Sequence, residues 1–298
     1  MTTSNQMVQH KMPFSVAVNT PSMQKLIANA LHDPARCARF TASIVSAVSV
    51  NQALQNCDRN TVISGALLGE SLNLSPSPQL GQYYLVPFNN KKKGMQDAQF
   101  VLGYKGYVQL ALRSGQYKSI NVEIVKQGEY KGRDPMTGDP RFQFLEDDDE
   151  WERLPVIGYM ASFEYLNGFR KVLYWSKEKM MNHADRYSAA FSRKAYENLI
   201  AGNIPQGEMW KYSSFWYKDF DSMAKKTMLR QLISKWGIMS TDMQIAYESD
   251  SRVIEETESG QLVPQVEEEP PQQIEEPQAA AQIPAQPAEP KQIDLSSL

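Results

Sequence analysis

The chain has 298 residues, 42% of them hydrophobic, and a formal net charge of −3, which is room for one large domain or two smaller ones around a real core. No apolar run reaches the about eighteen residues of a membrane helix, and the start "MTTSNQMVQHKMPF" lacks an apolar signal core, so neither insertion nor secretion is expected. The charge is unevenly spread: residues 249–298 hold seven prolines, no aromatic and eleven acids against Arg252 and Lys291, which leaves residues 1–248 at +6. Three parts are therefore expected: a flexible leader over 1–20, a basic body over 21–248 that folds on its own, and a disordered acidic, Pro-rich tail over 249–298. Cys37 and Cys57 suit a reducing cytoplasm.

After the leader, "TPSMQKLIANAL" predicts a helix over about Ser22–Leu31. "DPARCARFTASIVSAVS" predicts a second, with Asp33 as N-cap and Pro34 at the first helical position. "NTVISGALLGESLNL" sets Val62, Ile63, Ala66 and Leu67 at helical spacing and stops at Ser75-Pro76. The pattern then changes. "QYYLVPFNN" and "DAQFVLG" read as a β-hairpin with the tip "NNKKKGMQ", followed by a helix "YKGYVQLALRSG" that Gly115 ends. "KSINVEIV" alternates as a strand, and "VIGYMASFEYLNGFRKVLYW" is two strands around Asn167-Gly168, with Ile157, Tyr159, Ala161, Phe163 and Tyr165 on one face. Ser176 is placed to cap a helix towards Tyr187, and a less regular stretch to Lys218 leads into the helix "DSMAKKTMLRQLISKW". Helices, an antiparallel β-meander with an inserted helix, then helices again make the class α+β.

The last helix raises a question of charge. After Asp221 it carries Lys225, Lys226, Arg230 and Lys235 with no acid before Asp242, whereas solvated helices interleave both signs. From Ser71 to Val122 the pattern repeats: Lys91, Lys92, Lys93, Lys105, Arg113 and Lys118 face Asp97 alone. Two distant segments cleared of acids point to a polyanion as common counterion. Tyr83, Tyr84, Phe88, Tyr104, Tyr107 and Tyr117 lie among these cations, and "WKYSSFWYKDF" precedes the last helix. Aromatic faces stack unpaired bases while Lys and Arg follow the phosphates, so the mixture suits a single strand. The plainer readings are a core position for any one Tyr on an alternating strand and a solvated turn for Lys91–Lys93.

No GxxxxGK[ST] occurs, so no P-loop is available for ATP-driven work. His10, His32, His183 and the two cysteines have no zinc spacing, and no Gly-x-Ser-x-Gly nucleophile turn appears. Glu129-Tyr130-Lys131 is the mildest nuclease hint, without an upstream carboxylate between Asp97 and Glu123, and "EDDDEWE" reads as a solvated acidic loop. The chain reads as a binder without cofactor, not an enzyme.

The blocks "NCDRNTVISGALLGESLNLSPSPQLGQYYLVPFNNKKK", "FVLGYKGYVQLALRSGQYKSINVEIVKQGEY" and "MAKKTMLRQLISKW" closely resemble, in order and spacing, the RecT family of phage single-strand annealing proteins, over roughly residues 21–247. The chain departs from the pattern between about Ala189 and Tyr212, where it is longer, and in its tail. The resemblance implies ATP-independent annealing of complementary single-stranded DNA in homologous recombination, on homo-oligomeric rings or helical filaments. It implies a partner 5′-to-3′ exonuclease, a bacterial host cytoplasm, and an α+β core like that of eukaryotic annealing proteins. Family and charge together put Lys105, Arg113, Lys225, Lys226 and Arg230 on DNA, with Tyr104 and Tyr107 against bases and the tip Lys91, Lys92 and Lys93 as further contacts. On that reading DNA backbone is the missing counterion of the last helix, and the tail end "IDLSSL" is a candidate to dock on the exonuclease or a host single-strand-binding protein. The alternatives are a metal-dependent nuclease of the same system and a passive single-strand protector.

Overall fold

A computed structural model describes residues 12–90, 92–257 and 260–265. Residues 1–11, Lys91, residues 258–259 and residues 266–298 lie outside the described residues, and with them most of the expected leader and tail.

The N-terminal third is helical, and its boundaries follow local chemistry. A single turn, α1 (Phe14–Ala17), precedes α2 (Pro21–Leu31) and α3 (Pro34–Val50), whose cap Asp33 accepts from the Ala35 amide at 2.9 Å. Phe14, Ala17 and Val18 are buried, so this part of the expected leader packs on the body. After a 3₁₀ turn at Gln52–Asn56, Asp58 caps α4 (Arg59–Ser71) through the Asn60 amide. Thr61 to Gly69 are buried without interruption, because α2 and α3 cover one side of α4 and a sheet the other.

That sheet has the order β1 (Tyr83–Asn90), β2 (Met95–Leu102), β8 (Arg252–Glu256), β9 (Leu262–Pro264), all antiparallel. The hairpin β1–β2 keeps register from Tyr83↔Leu102 to Asn90↔Met95. Then α5 (Tyr104–Arg113) leads to a second antiparallel sheet of order β3 (Tyr117–Lys126), β6 (Val156–Tyr165), β7 (Arg170–Ser176). Tyr159, Ala161, Phe163 and Tyr165 are buried on one face of β6, as the alternation predicts. The turn after β6 uses three residues: the Tyr165 amide donates to the Phe169 carbonyl at 2.8 Å, and Gly168 takes φ 85°. A small pair, β4 (Tyr130–Arg133) and β5 (Pro140–Phe142), branches off between β3 and β6. The acidic run, expected as a loop, forms the short helix α6 (Asp148–Arg153), capped by Asp147 through the Glu150 amide.

The remaining helices are α7 (Lys177–Tyr187, capped by Ser176), α8 (Arg193–Ile200), α9 (Phe215–Lys218), α10 (Phe220–Trp236) and α11 (Thr241–Ser249). The class is α+β with antiparallel sheets, but the strands do not form one meander. Two sheets share the core, and one of them is completed from beyond residue 249. The boundary expected at 248/249 therefore falls inside the folded part. Val253 and Ile254 are buried, the Ser251 amide donates to the Phe100 carbonyl at 2.7 Å, and β8 pairs with β2 at Gln99↔Val253 and Phe100↔Arg252. Composition pooled over fifty residues concealed this short apolar run inside acidic, Pro-rich chain.

Truncation separates the two boundaries. A chain ending at Gln265 is expected to melt with the full-length chain. One ending at Ser249 loses both strands and the Asp250 carboxylate beneath them, and is expected to be destabilised by at least about 3–5 kcal/mol, because buried cations are left without a partner. Urea melts of the three lengths measure this.

Candidate nucleic-acid interface

The two acid-poor segments meet in the fold, since α10 lies along α5 and β3. The lone acid of residues 71–122, Asp97, is fully buried. Its Oδ2 accepts from Asn90 Nδ2 at 2.7 Å, with Lys93 Nζ 3.7 Å away. The surface of that segment thus presents cations and no carboxylate.

Two glycines seat the start of α5. A Cβ on Gly103 would stand 2.1 Å from the Gly81 carbonyl oxygen, and one on Gly106 2.2 Å from that of Gln82, so only glycine allows this approach. It leaves Lys105 exposed and Tyr104 half-buried at the edge of the core beside Tyr84: a methyl at Gly81 would meet the Tyr84 hydroxyl at 3.1 Å and the Lys105 stem at 3.5 Å. From the other side α10 delivers Lys225, whose Nζ is 5.8 Å from the centre of the Tyr104 ring, against 6.0 Å for Lys105 Nζ. The Phe215 ring stands 5.1 Å from that of Tyr84. Four elements, β1, α5, α9 and α10, so bring together Tyr84, Tyr104, Lys105, Phe215 and Lys225 at the surface. Among the described residues no acid pairs with Lys105, while Lys225 shares Glu123 at 3.3 Å in an exposed pair worth little. The Tyr84 hydroxyl is pushed up by burial first, then by Asp219 and Tyr104.

The other sequence-derived candidates lie elsewhere, and the reasons are physical. Family and charge put Lys226 and Arg230 of the last helix on DNA. Instead α10 is enclosed on both sides, by β3, β6 and β7 on one and by α5 with α11 on the other, and Lys226 is buried. Its Nζ donates to Asp250 Oδ1 at 2.7 Å, and Arg230 Nη1 donates to Asp250 Oδ2 at 3.0 Å. The Arg230 guanidinium also lies 3.9 Å from the centre of the Tyr247 ring. The counterion of these two is Asp250 of the chain itself, not a solvent-side anion. Burial pulls the Lys226 ammonium pKa down, with Asp250 opposing. Tyr107 is fully buried and cannot meet a base: its hydroxyl accepts from Arg230 Nη1 at 3.2 Å and faces Asp250 Oδ2 at 3.4 Å, and burial raises its pKa.

Arg113, at the far end of α5 about 12 Å from Lys105 along the helix, donates to the Leu72 carbonyl at 2.6 Å and so closes the end of α4. At the hairpin tip, about 20 Å from Tyr84 along β1, Lys93 is held by Glu255 at 2.9 Å, Lys92 is exposed, and Lys91 lies outside the described residues. Glu129, the nuclease hint, is fully buried, its carboxylate accepting from the Lys126 amide at 2.6 Å and from Trp151 Nε1 at 3.0 Å. Of the ten residues expected at DNA, the fold thus gathers Tyr104, Lys105 and Lys225. It adds Tyr84 and Phe215. Both carried a signal: Tyr84 as the outward position between the inward Tyr83 and Leu85, and Phe215 as a member of the aromatic run "WKYSSFWYKDF".

A model of the RecT family matches residues 38–270. The uncharacterised protein YqaK of Bacillus subtilis (strain 168) is 38% identical over 246 residues, spanning 83% of this chain and 72% of its own. Protein RecT of Escherichia coli (strain K12) is 35% identical over 114 residues, 38% of this chain and 42% of its own.

The buried triad makes a stability prediction where the sequence pointed to an affinity one. Lys226→Ala and Arg230→Ala combined leave Asp250 buried without a cation. The double variant is expected to lose about 3–5 kcal/mol, with each single variant retaining one ion pair and losing less. Denaturant melts of the set give the coupling; a double variant as stable as the wild type would refute the triad.

Proposed function

We propose that this chain, which belongs to the RecT family and so stands broadly among the phage-type recombination and annealing proteins, binds single-stranded DNA and anneals complementary strands without nucleotide hydrolysis. The observation that carries the reading is the Tyr104 ring with two ammonium groups near it, Lys105 at 6.0 Å and Lys225 at 5.8 Å, from segments 120 positions apart, the neighbouring acids being Glu123, in an exposed pair with Lys225, and Asp219 beside Tyr84. Lys105 and Lys225 neutralise phosphates, and Tyr104 and Tyr84 offer faces to unpaired bases.

Annealing needs little chemistry of the protein. Two polyanions repel, and a cationic surface that holds one strand extended lowers that barrier while base pairing tests the register. The protein releases the annealed duplex as product and acts as a homo-oligomer, not as an enzyme. It works with a 5′-to-3′ exonuclease that exposes the strand, beside a host single-strand-binding protein, in the cytoplasm of the bacterial host. No helix among the described residues is long and apolar enough to cross a membrane.

Lys105→Ala and Lys225→Ala are expected to change stability by no more than ~0.5–1 kcal/mol, since both sites are at the surface. Affinity for a fluorescent oligonucleotide of any sequence should fall. The magnitude of the log K against log[salt] slope should drop by roughly 0.7 for each phosphate no longer neutralised, and annealing without ATP should drop in parallel. An unchanged slope in the double variant would remove these lysines from the interface, and a requirement for ATP hydrolysis would overturn the reading. Binding without faster pairing of complementary oligonucleotides would make the protein a passive protector.

A further inference from the structure

Between α8 and α10 the chain runs over the surface as an arm with little support of its own. The 3₁₀ helix at Gln206–Tyr212 has no buried residue, and Trp210 is 73% exposed. Met209 beside it is 46% exposed, so the arm presents adjoining apolar side chains and not a lone one. The root of the arm, by contrast, is firmly fixed. Trp216 is buried against Phe191 at 5.6 Å and Phe220 at 5.2 Å, and the Tyr217 hydroxyl accepts from the Ser192 amide at 2.8 Å. Tyr212 stands edge-on to Tyr217 at 5.1 Å. This anchoring holds Phe215 outward, 40% exposed, against Tyr84.

We infer that Trp210 and Phe215 form a base-stacking platform that extends the Tyr84–Tyr104 surface, and that its ligand is the unpaired bases of the bound single strand. This rests on the proposed DNA-binding face and adds a site to it. Two features select bases as the occupant. Phe215 joins the cationic cluster through its contact with Tyr84, and Trp210 stands five positions before it on the same exposed stretch. Its rings also come with ammonium groups, not with a closed apolar surround: Lys211 Nζ is 5.8 Å from the Trp210 ring, in an exposed pair with Glu208 at 3.0 Å that is worth little, and Lys218 is exposed at the end of α9. Bare rings beside cations match the alternating faces and phosphates of an unpaired strand. The two sets of side chains then divide the work: lysines set how tightly any phosphate backbone binds, and the arm senses whether bases are present and free to stack.

The test compares two probes of equal length, a fluorescent oligothymidylate and an abasic oligomer with the same phosphates but no bases, across a salt series. The full-length protein, Trp210→Ala, Phe215→Ala and Trp210→Phe are measured, each with a thermal melt. Each alanine variant is expected to bind the oligothymidylate roughly 5- to 150-fold more weakly, the abasic oligomer unchanged, with the salt slope retained and Trp210→Phe largely rescued. Equal losses on both probes, or no loss on the base-bearing one, would overturn the platform. So would a Trp210→Ala variant that keeps its affinity but falls in mass by light scattering, which would make the arm a contact between copies. Should Lys105→Ala and Lys225→Ala weaken binding while the arm variants do not, the platform fails alone; should none of the four matter, the shared face fails with it.

Discussion

Asp250 accepts hydrogen bonds from the Leu102 amide at the end of β2, Lys226 and Arg230 of α10, and the Tyr107 hydroxyl of α5. A carboxylate taken from water is costly, and so is an ammonium; each is tolerable only because the others are there. The donors come from positions 20 to 148 residues apart in sequence, so the cluster forms only when hairpin, helix and C-terminal strand are all in place. Ser251, at φ 65°, then turns the chain into β8, whose first ladder bonds lie beside this carboxylate. The cluster therefore joins the first sheet to the helical layer over the second and fixes where α5 and α10 sit relative to each other.

That fixed relation matters for the surface. α5 has two faces with different duties. Tyr107 points into the Asp250 cluster, while Tyr104 and Lys105 point out beside Tyr84 and Lys225. α10 is divided in the same way, with Lys226 and Arg230 inward and Lys225 outward, as the roughly 100° turn between neighbours requires. A buried ion cluster thus holds the outer cations of two helices about one aromatic ring without occupying them.

What was legible in the sequence was local. Asp33-Pro34 and Ser176 mark helix starts, Asn167-Gly168 marks a hairpin, and the alternation in β6 names its buried face; each of these is decided within a few residues. The burial of Lys226 and Arg230 was not legible, because a helix with one sign of charge looks solvated until its partner is known, and that partner lies past the next helix. Asp250 itself stood in a stretch whose composition suggested no structure at all. At the surface, Tyr104, Lys105 and Lys225 were accessible to a charge argument, but that argument did not rank them above Lys226, Arg230 or Arg113; the bonds of Arg113 to the carbonyls of Leu72 and Asn73 depend on where α4 ends.

The same contrast explains why the cation count of a sequence overstates its interface. A lysine that must stabilise the fold needs a buried acid, and one that must hold a phosphate has to remain available to exchange water and counterions for it. In this chain the inner pair meets the first demand at 2.7 and 3.0 Å from Asp250, and Lys105, with no acid paired to it among the described residues, is the one free for the second in the proposed interface. Lys225 stands between, with an exposed glutamate at 3.3 Å that a strand can displace at little cost. In the proposed interface, seating both lysines on helices fixed by the buried cluster lowers the ordering cost of binding, because the backbone side of the contact is already in position.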